Sequence, residues 1–127
     1  MKKIVITTDQ APPVVGPYNQ ALAAGPFVFV SGQIPMDVKG QMVEGDIVVQ
    51  TVQVLQNLKA ILAAANLTLK DVVKTTVYLA DMADFMGMNR TYGEFFPEHP
   101  PARTTIQAAA LAKGAAVAID AIALKKA

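Results

Sequence analysis

Asp46-Ile47-Val48-Val49-Gln50-Thr51-Val52-Gln53-Val54-Leu55-Gln56-Asn57-Leu58-Lys59-Ala60-Ile61-Leu62 and, further on, Val72-Val73-Lys74-Thr75-Thr76-Val77-Tyr78-Leu79 form the part of the chain where the apolar period changes. In the first run Ile47, Val48, Thr51, Val52, Val54, Leu55, Leu58, Ile61, Leu62 and Ala65 recur at helical spacing. Asp46 suits the N-cap, where its carboxylate accepts a free backbone N–H of the first turn, and the helix should stop near Asn66. The apolar stripe is wide, which predicts a helix lying flat on a sheet. Thr68-Leu69-Lys70-Asp71 reads as a capping turn. Val72 to Leu79 is β-branched and reads as a strand.

Working outward, Asp81 or Asp84 is placed to cap a second helix, with Phe85, Met88, Tyr92, Phe95 and Phe96 at helical spacing and Pro97 as its stop. Glu98-His99-Pro100-Pro101 forms a rigid loop. Two strands follow, Ala102 to Ala109 and Val117 to Leu124. Upstream, Lys3 to Thr7 reads as a strand ended by Ala11-Pro12-Pro13, with a second break at Gly16-Pro17. Phe27 to Ser31 reads as a buried strand after the turn signal Gly25-Pro26. The order is β-β-β-α-β-α-β-β in one domain, residues 1–127. The fold class is α+β, with both helices on one face of the sheet. The other face must also be covered, and self-association is the simplest cover.

Composition limits the function. The 127 residues suit one domain with its own core, and 53% of them are hydrophobic. Net charge is +1 with scattered basic residues apart from the terminal pairs Lys2-Lys3 and Lys125-Lys126, so no nucleic-acid partner is expected. No cysteine is present, which removes disulfides, thiolate nucleophiles and cysteine metal sites. No signal segment or membrane span is expected, which leaves a cytoplasmic location.

His99 is the only histidine and Ser31 the only serine. A Ser–His–Asp triad is possible on paper, but nothing in the sequence places them together. One histidine leaves too few ligands for a typical zinc site, and no phosphate-binding glycine motif is present. Arg103 is more informative. It begins an apolar strand just after Pro100-Pro101-Ala102, and its planar fork suits a carboxylate; a structural salt bridge to an Asp or Glu is the alternative. Ser31-Gly32-Gln33 follows a buried strand, either as a plain exit or as a place where glycine admits a ligand to the backbone. Tyr18 sits on a loop as a polar handle or a packed ring. Asn89 reads as a solvent-facing helical residue.

Gly16-Pro17-Tyr18-Asn19-Gln20-Ala21, Val30-Ser31-Gly32-Gln33-Ile34-Pro35, Val73-Lys74-Thr75-Thr76-Val77-Tyr78, Asp84-Phe85 with Asn89 and Tyr92, Pro101-Ala102-Arg103-Thr104-Thr105 and Ile119-Asp120-Ala121-Ile122-Ala123 occur in this order along nearly the whole chain. Together they resemble the RidA/YjgF family. The resemblance implies a chorismate-mutase-like fold, with a single mixed sheet of about six strands and two helices, assembled as a homotrimer with clefts between subunits. It implies hydrolysis of 2-aminoacrylate and related 2-imino acids to 2-keto acids and ammonia, without a metal or organic cofactor. It carries site roles to Tyr18, Ser31, Asn89 and Arg103, with Gly32 and Thr105 as cleft-lining neighbours. A ribonuclease or translation-inhibitor role, also attached to the family, finds little support here: there is no basic stripe and no histidine pair.

One departure matters. Active members of that family carry a Glu fifteen positions after this arginine, associated with the attacking water; here the position is Ala118. Asp120 matches the second acid of the pattern, on the same strand face and about 6.5 Å along it. The expectation is therefore binding of small carboxylic acids with slowed or altered deamination, and a gain in turnover on Ala118→Glu if that acid is limiting. The alternative is a non-catalytic, chaperone-like trimer that binds such acids.

Overall fold

The computed structural model describes residues 2–126. Its strands are β1 (Lys3–Ile6), β2 (Ala21–Ala24), β3 (Phe27–Gln33), β4 (Val72–Leu79), β5 (Ala102–Gln107) and β6 (Val117–Leu124), with helices α1 (Ile47–Ala64) and α2 (Phe85–Phe95). They form one mixed sheet in the order β1-β2-β3-β6-β4-β5. Neighbours run antiparallel except β4 and β5, which are parallel. A parallel pair needs a crossover connection, and α2 supplies it.

From Thr51 onward the α1 stripe follows the predicted spacing, with Thr51, Val54, Leu55, Leu58, Ile61 and Leu62 buried, whereas Val48 in the first turn is exposed; the Asp46 carboxylate accepts from the Val49 N–H at 3.0 Å. Facing them, Val117, Ile119, Ala121 and Ala123 alternate along β6, with Val28 and Val30 from β3 and Val77 and Leu79 from β4. Full burial of each large aliphatic contributes roughly 1.5–3 kcal/mol. α2 adds Met88 and Tyr92. A Cβ on Gly87 would lie 2.6 Å from Ile47 Cγ2, so only a glycine lets α2 close onto the start of α1.

Five details differ from the sequence reading. Ala21–Ala24 is the strand that the local pattern did not locate; its small residues carry little β signal, and pairing with both β1 and β3 makes it a strand. β3 runs on to Gln33, carrying Ser31-Gly32 in a bulge, and β5 stops at Gln107 instead of Ala109. Asp81 caps a short 3-10 turn, Met82–Asp84, by accepting from the Ala83 N–H, whereas Asp84 makes no side-chain cap for α2. In length and apolar composition α1 matches a bilayer span, contrary to expectation, but its stripe is the buried core of this domain.

The second sheet face carries no helix. Phe27, Phe29, Ile106 and Leu124 stand exposed on it.

Candidate functional site

Arg103 is the second residue of β5, an edge strand. It pairs with Thr75 of β4, which pairs with Ala121 of β6, so this row faces the helices. Its guanidinium carbon lies 4.8 Å from the Tyr92 ring centroid and 5.7 Å from that of Phe85. Nη2 donates to Asn89 Oδ1 at 2.8 Å. Among the described residues no Asp or Glu pairs with it, which removes the structural salt bridge left open by the sequence. Asn89 is correspondingly not a bystander. It sits one turn after Phe85 and one short of Tyr92, so three side chains of α2 converge on one cation.

Tyr92 is itself fixed, its hydroxyl 2.7 Å from Thr75 Oγ1 in a buried hydrogen bond. Burial pushes its pKa above the usual phenol value, with the Thr75 bond and the Arg103 charge opposing. The phenol therefore stays neutral and offers Arg103 a π face, worth about 0.5–1 kcal/mol at a partly exposed site. Thr105 follows two residues along β5, and its Oγ1 is buried without a hydrogen-bond partner.

Tyr18, Ser31 and Gly32 form a second cluster. Ser31 Oγ donates to Asn19 O at 2.5 Å and the Ser31 N–H to Gln20 O at 2.9 Å. The buried Gln20 side chain bonds the backbone of Thr8 and Pro12, which fixes the preceding loop. Tyr18 is 47% exposed. It lines a hollow of about 160 Å³ with Gly32, Gln33, Pro13, Val15 and Ile34. A Cβ on Gly32 would meet nothing within 4 Å, so the chain's own packing does not demand glycine there.

The structure does not bring the two clusters together. Between β5 and β3 lie β4 and β6, a separation of roughly 14 Å across three strand spacings. Arg103 also faces the helices, while Ser31 and Gly32 sit in a bulge opposite Asp120, whose strand neighbours of the same parity face the open side. One chain thus holds the two clusters apart.

On that open face Ala118 is paired with Tyr78 and Asp120 with Thr76. Asp120 Oδ2 accepts from the Tyr78 hydroxyl at 3.1 Å. Tyr78, which the sequence reading used only as part of a motif, has its pKa raised by burial first and by the Asp120 charge second. His99 has a left-handed backbone (φ 47°) and lines a different hollow with Leu69, Lys70, Phe95 and Glu98, apart from Ser31. The triad that could be written on paper is not assembled. Among the described residues no three His, Asp or Glu side chains gather as a metal site.

The family profile described as Endoribonuclease L-PSP matches residues 8–125. A RutC family protein of Pyrococcus horikoshii is 53% identical over 98% of this chain and 99% of its own length. The chain belongs to the RidA/YjgF family. Within it, a protein of Salmonella typhimurium named 2-iminobutanoate/2-iminopropanoate deaminase is 44% identical over 95% of this chain and 97% of its own. The crystal structure of the YjgF gene product of E. coli superposes with a TM-score of 0.91 at 42% identity, covering 97% and 99% of the two chains. The six-stranded mixed sheet with two helices is the fold of these RidA/YjgF proteins.

Proposed function

We propose that this protein hydrolyses reactive 2-imino acids and their enamine tautomers, such as 2-aminoacrylate, to 2-keto acids and ammonia, in clefts formed where copies of the chain meet. The observation that carries this reading is the state of Arg103. It is a cation with no acidic partner among the described residues, aimed by an amide and two rings. A guanidinium has five N–H donors, and Asn89 occupies a donor without neutralising the charge. A substrate carboxylate supplies the missing counter-charge through two parallel N–H···O bonds.

With its carboxylate clamped, the substrate holds its C=N carbon at a set place, and a water brought there adds to it. The resulting carbinolamine loses ammonia as its C=O bond forms. The imine is already electrophilic, so modest barrier lowering suffices. The Tyr18–Ser31–Gly32 cluster completes the cleft from a neighbouring copy. The apolar open face favours such assembly, because Phe27, Phe29, Ile106 and Leu124 lose water when a second and third copy cover them. A homotrimer acting on a cytoplasmic small molecule is the form this reading takes.

The test is release of keto acid from imines generated in place by a pyridoxal-phosphate dehydratase. Wild type is expected to accelerate release and Arg103→Ala to lose the effect. Ala118 favours one other reading, a trimer that binds small carboxylic acids without turning them over. Such a protein gives saturable binding of keto acids and no acceleration.

A further inference from the structure

Past the end of α1 the sheet is left partly uncovered on its helix side. α1 stops at Ala64, and the chain turns back through Asn66, whose backbone is left-handed (φ 62°). Ile4 of β1 pairs with Ala23 of β2, and Ala23 pairs with Val28 of β3, so these residues form one row on the core side of the sheet. Ala23 and Val28 are buried, whereas Ile4 is 56% exposed. A large aliphatic on the core side stays open here because Ala64 and Ala65, which line the same gap from the end of α1, carry single methyl groups.

The result is a hollow of about 560 Å³, within the size range of small-molecule sites. Its walls are mostly aliphatic, with Ile4, Ile6 and Val28 on the sheet and Leu67 beyond α1, and Thr7 and Asn66 add neutral polar groups. Two cations complete the lining, Lys125 and Lys126, both exposed and so at the solvent side. The Lys125 N–H donates to Pro26 O at 2.8 Å, which pins the chain beyond β6 beside the β2–β3 turn. No acidic residue lines the hollow among the described residues. The carbonyl end of α1 accounts for a preference for cations at this place. It does not account for the open aliphatic floor beneath them. An apolar basin whose charges are all positive is complementary to an apolar body with an anionic head.

We propose that this hollow binds small hydrophobic anions, free in solution, with the apolar body against Ile4 and Leu67 and the head at Lys125 and Lys126. Lysine offers a compact charge without the planar fork of arginine, so carboxylate and phosphate heads are both accepted. The site shares no residue with the hollows that Tyr18 lines, and neither Arg103 nor Asn89 lines it. Along β3, Val28 lies near the start of the strand and Ser31 and Gly32 near its end. The ligand is therefore a second molecule and not the substrate of the Arg103 cleft, and the inference holds whatever reaction that cleft performs.

The probe is 2-naphthoate, titrated at neutral pH by calorimetry and by amide NMR. Saturable binding is expected in wild type and in Arg103→Ala alike, with amide shifts at Ala23, Ala65 and Leu67. 2-Naphthyl phosphate is expected to bind as 2-naphthoate does. 2-Naphthol, the same body without a charge, should bind about tenfold more weakly, since the charge-assisted contacts are missing, and acetate should not bind measurably. Replacing both lysines (Lys125→Glu with Lys126→Glu) should weaken 2-naphthoate about tenfold or more and leave 2-naphthol unchanged. Ala64→Trp, at an exposed position, should fill the hollow and abolish binding of both. Binding that disappears in Arg103→Ala places the probe in the other cleft and overturns the proposal. Equal affinity for 2-naphthol and 2-naphthoate, or no saturable binding, overturns it as well. If a variant does not fold, the unaltered protein decides: amide shifts confined to the surroundings of Arg103 or to the open sheet face overturn the assignment.

Discussion

Arg103 and Asn89 meet between β5 and α2 through a 2.8 Å hydrogen bond, and that bond fixes the guanidinium in place while leaving its charge uncompensated. A structural arginine is ordinarily neutralised by a carboxylate. This one is oriented by an amide oxygen and by the rings of Tyr92 and Phe85.

Removing the cation therefore costs function more than fold. Arg103→Ala is expected to lower kcat/KM about 100-fold or more, since two charge-assisted hydrogen bonds of roughly 1.5–3 kcal/mol each are lost. Its unfolding free energy should stay within about 1 kcal/mol of wild type, because no ion pair is broken. Arg103→Lys keeps the charge but not the planar fork, and should recover only part of the loss. Steady-state kinetics beside urea unfolding separates the two effects.

Asn89 gives a sharper test, because its neutrality is what keeps Arg103 available. Asn89→Asp places a carboxylate within hydrogen-bond distance of Nη2 and supplies internally the partner that the substrate should bring. KM is expected to rise about tenfold or more, with kcat less affected, while Asn89→Ala raises KM less. A KM unchanged in Asn89→Asp means that Arg103 does not bind the substrate acid. Added salt separates the two variants, because it screens the new pair in Asn89→Asp.

How far the residues foretell this arrangement depends on whether the signal is local. The α1 stripe, the Thr68–Asp71 capping turn and the alternation in β6 follow from spacing, because each element answers to its own buried face. Ala21–Ala24 does not, since three alanines and a leucine become a strand only by lying between β1 and β3. Arg103 stands out in the sequence as a cation in an apolar strand. The lack of an acidic partner among the described residues and the bond to Asn89 do not, because they depend on where α2 lands. Asp84 looks like the cap of α2 and makes no cap, while Gly87, unremarkable in the sequence, sets the approach of α2 to Ile47. Tyr78 and Asp120 are 42 positions apart, and only the β4–β6 register joins them.

Alkaline pH should weaken the fold through its two tyrosines with raised pKa, Tyr78 and Tyr92. In the unfolded chain a phenol ionises near pH 10, whereas in the fold both resist. Their contribution is complete below about pH 10 and is lost as pH climbs from there through the folded values. Unfolding free energies measured from pH 8 to 11 should fall above pH 10, and less steeply in Tyr92→Phe. That variant should also lose about 1–3 kcal/mol at neutral pH, because Thr75 Oγ1 is left buried without its partner.

The distance between the half-sites makes a prediction about mixtures. If each cleft joins Arg103 of one copy to the Tyr18–Ser31–Gly32 cluster of the next, two defective chains can complete one another. Arg103→Ala spoils one half. Gly32→Val is expected to spoil the other, since Gly32 lines the hollow with Tyr18 and an added Cβ there meets nothing of the chain within 4 Å. Each variant alone is expected to be inactive and well folded. Unfolded together and refolded at equal amounts into cyclic trimers, about a quarter of clefts draw both intact halves, so about a quarter of wild-type activity should return. Each variant refolded alone serves as the control. No recovery from co-refolded trimers means that both halves act within one chain, against the three-strand gap that separates them.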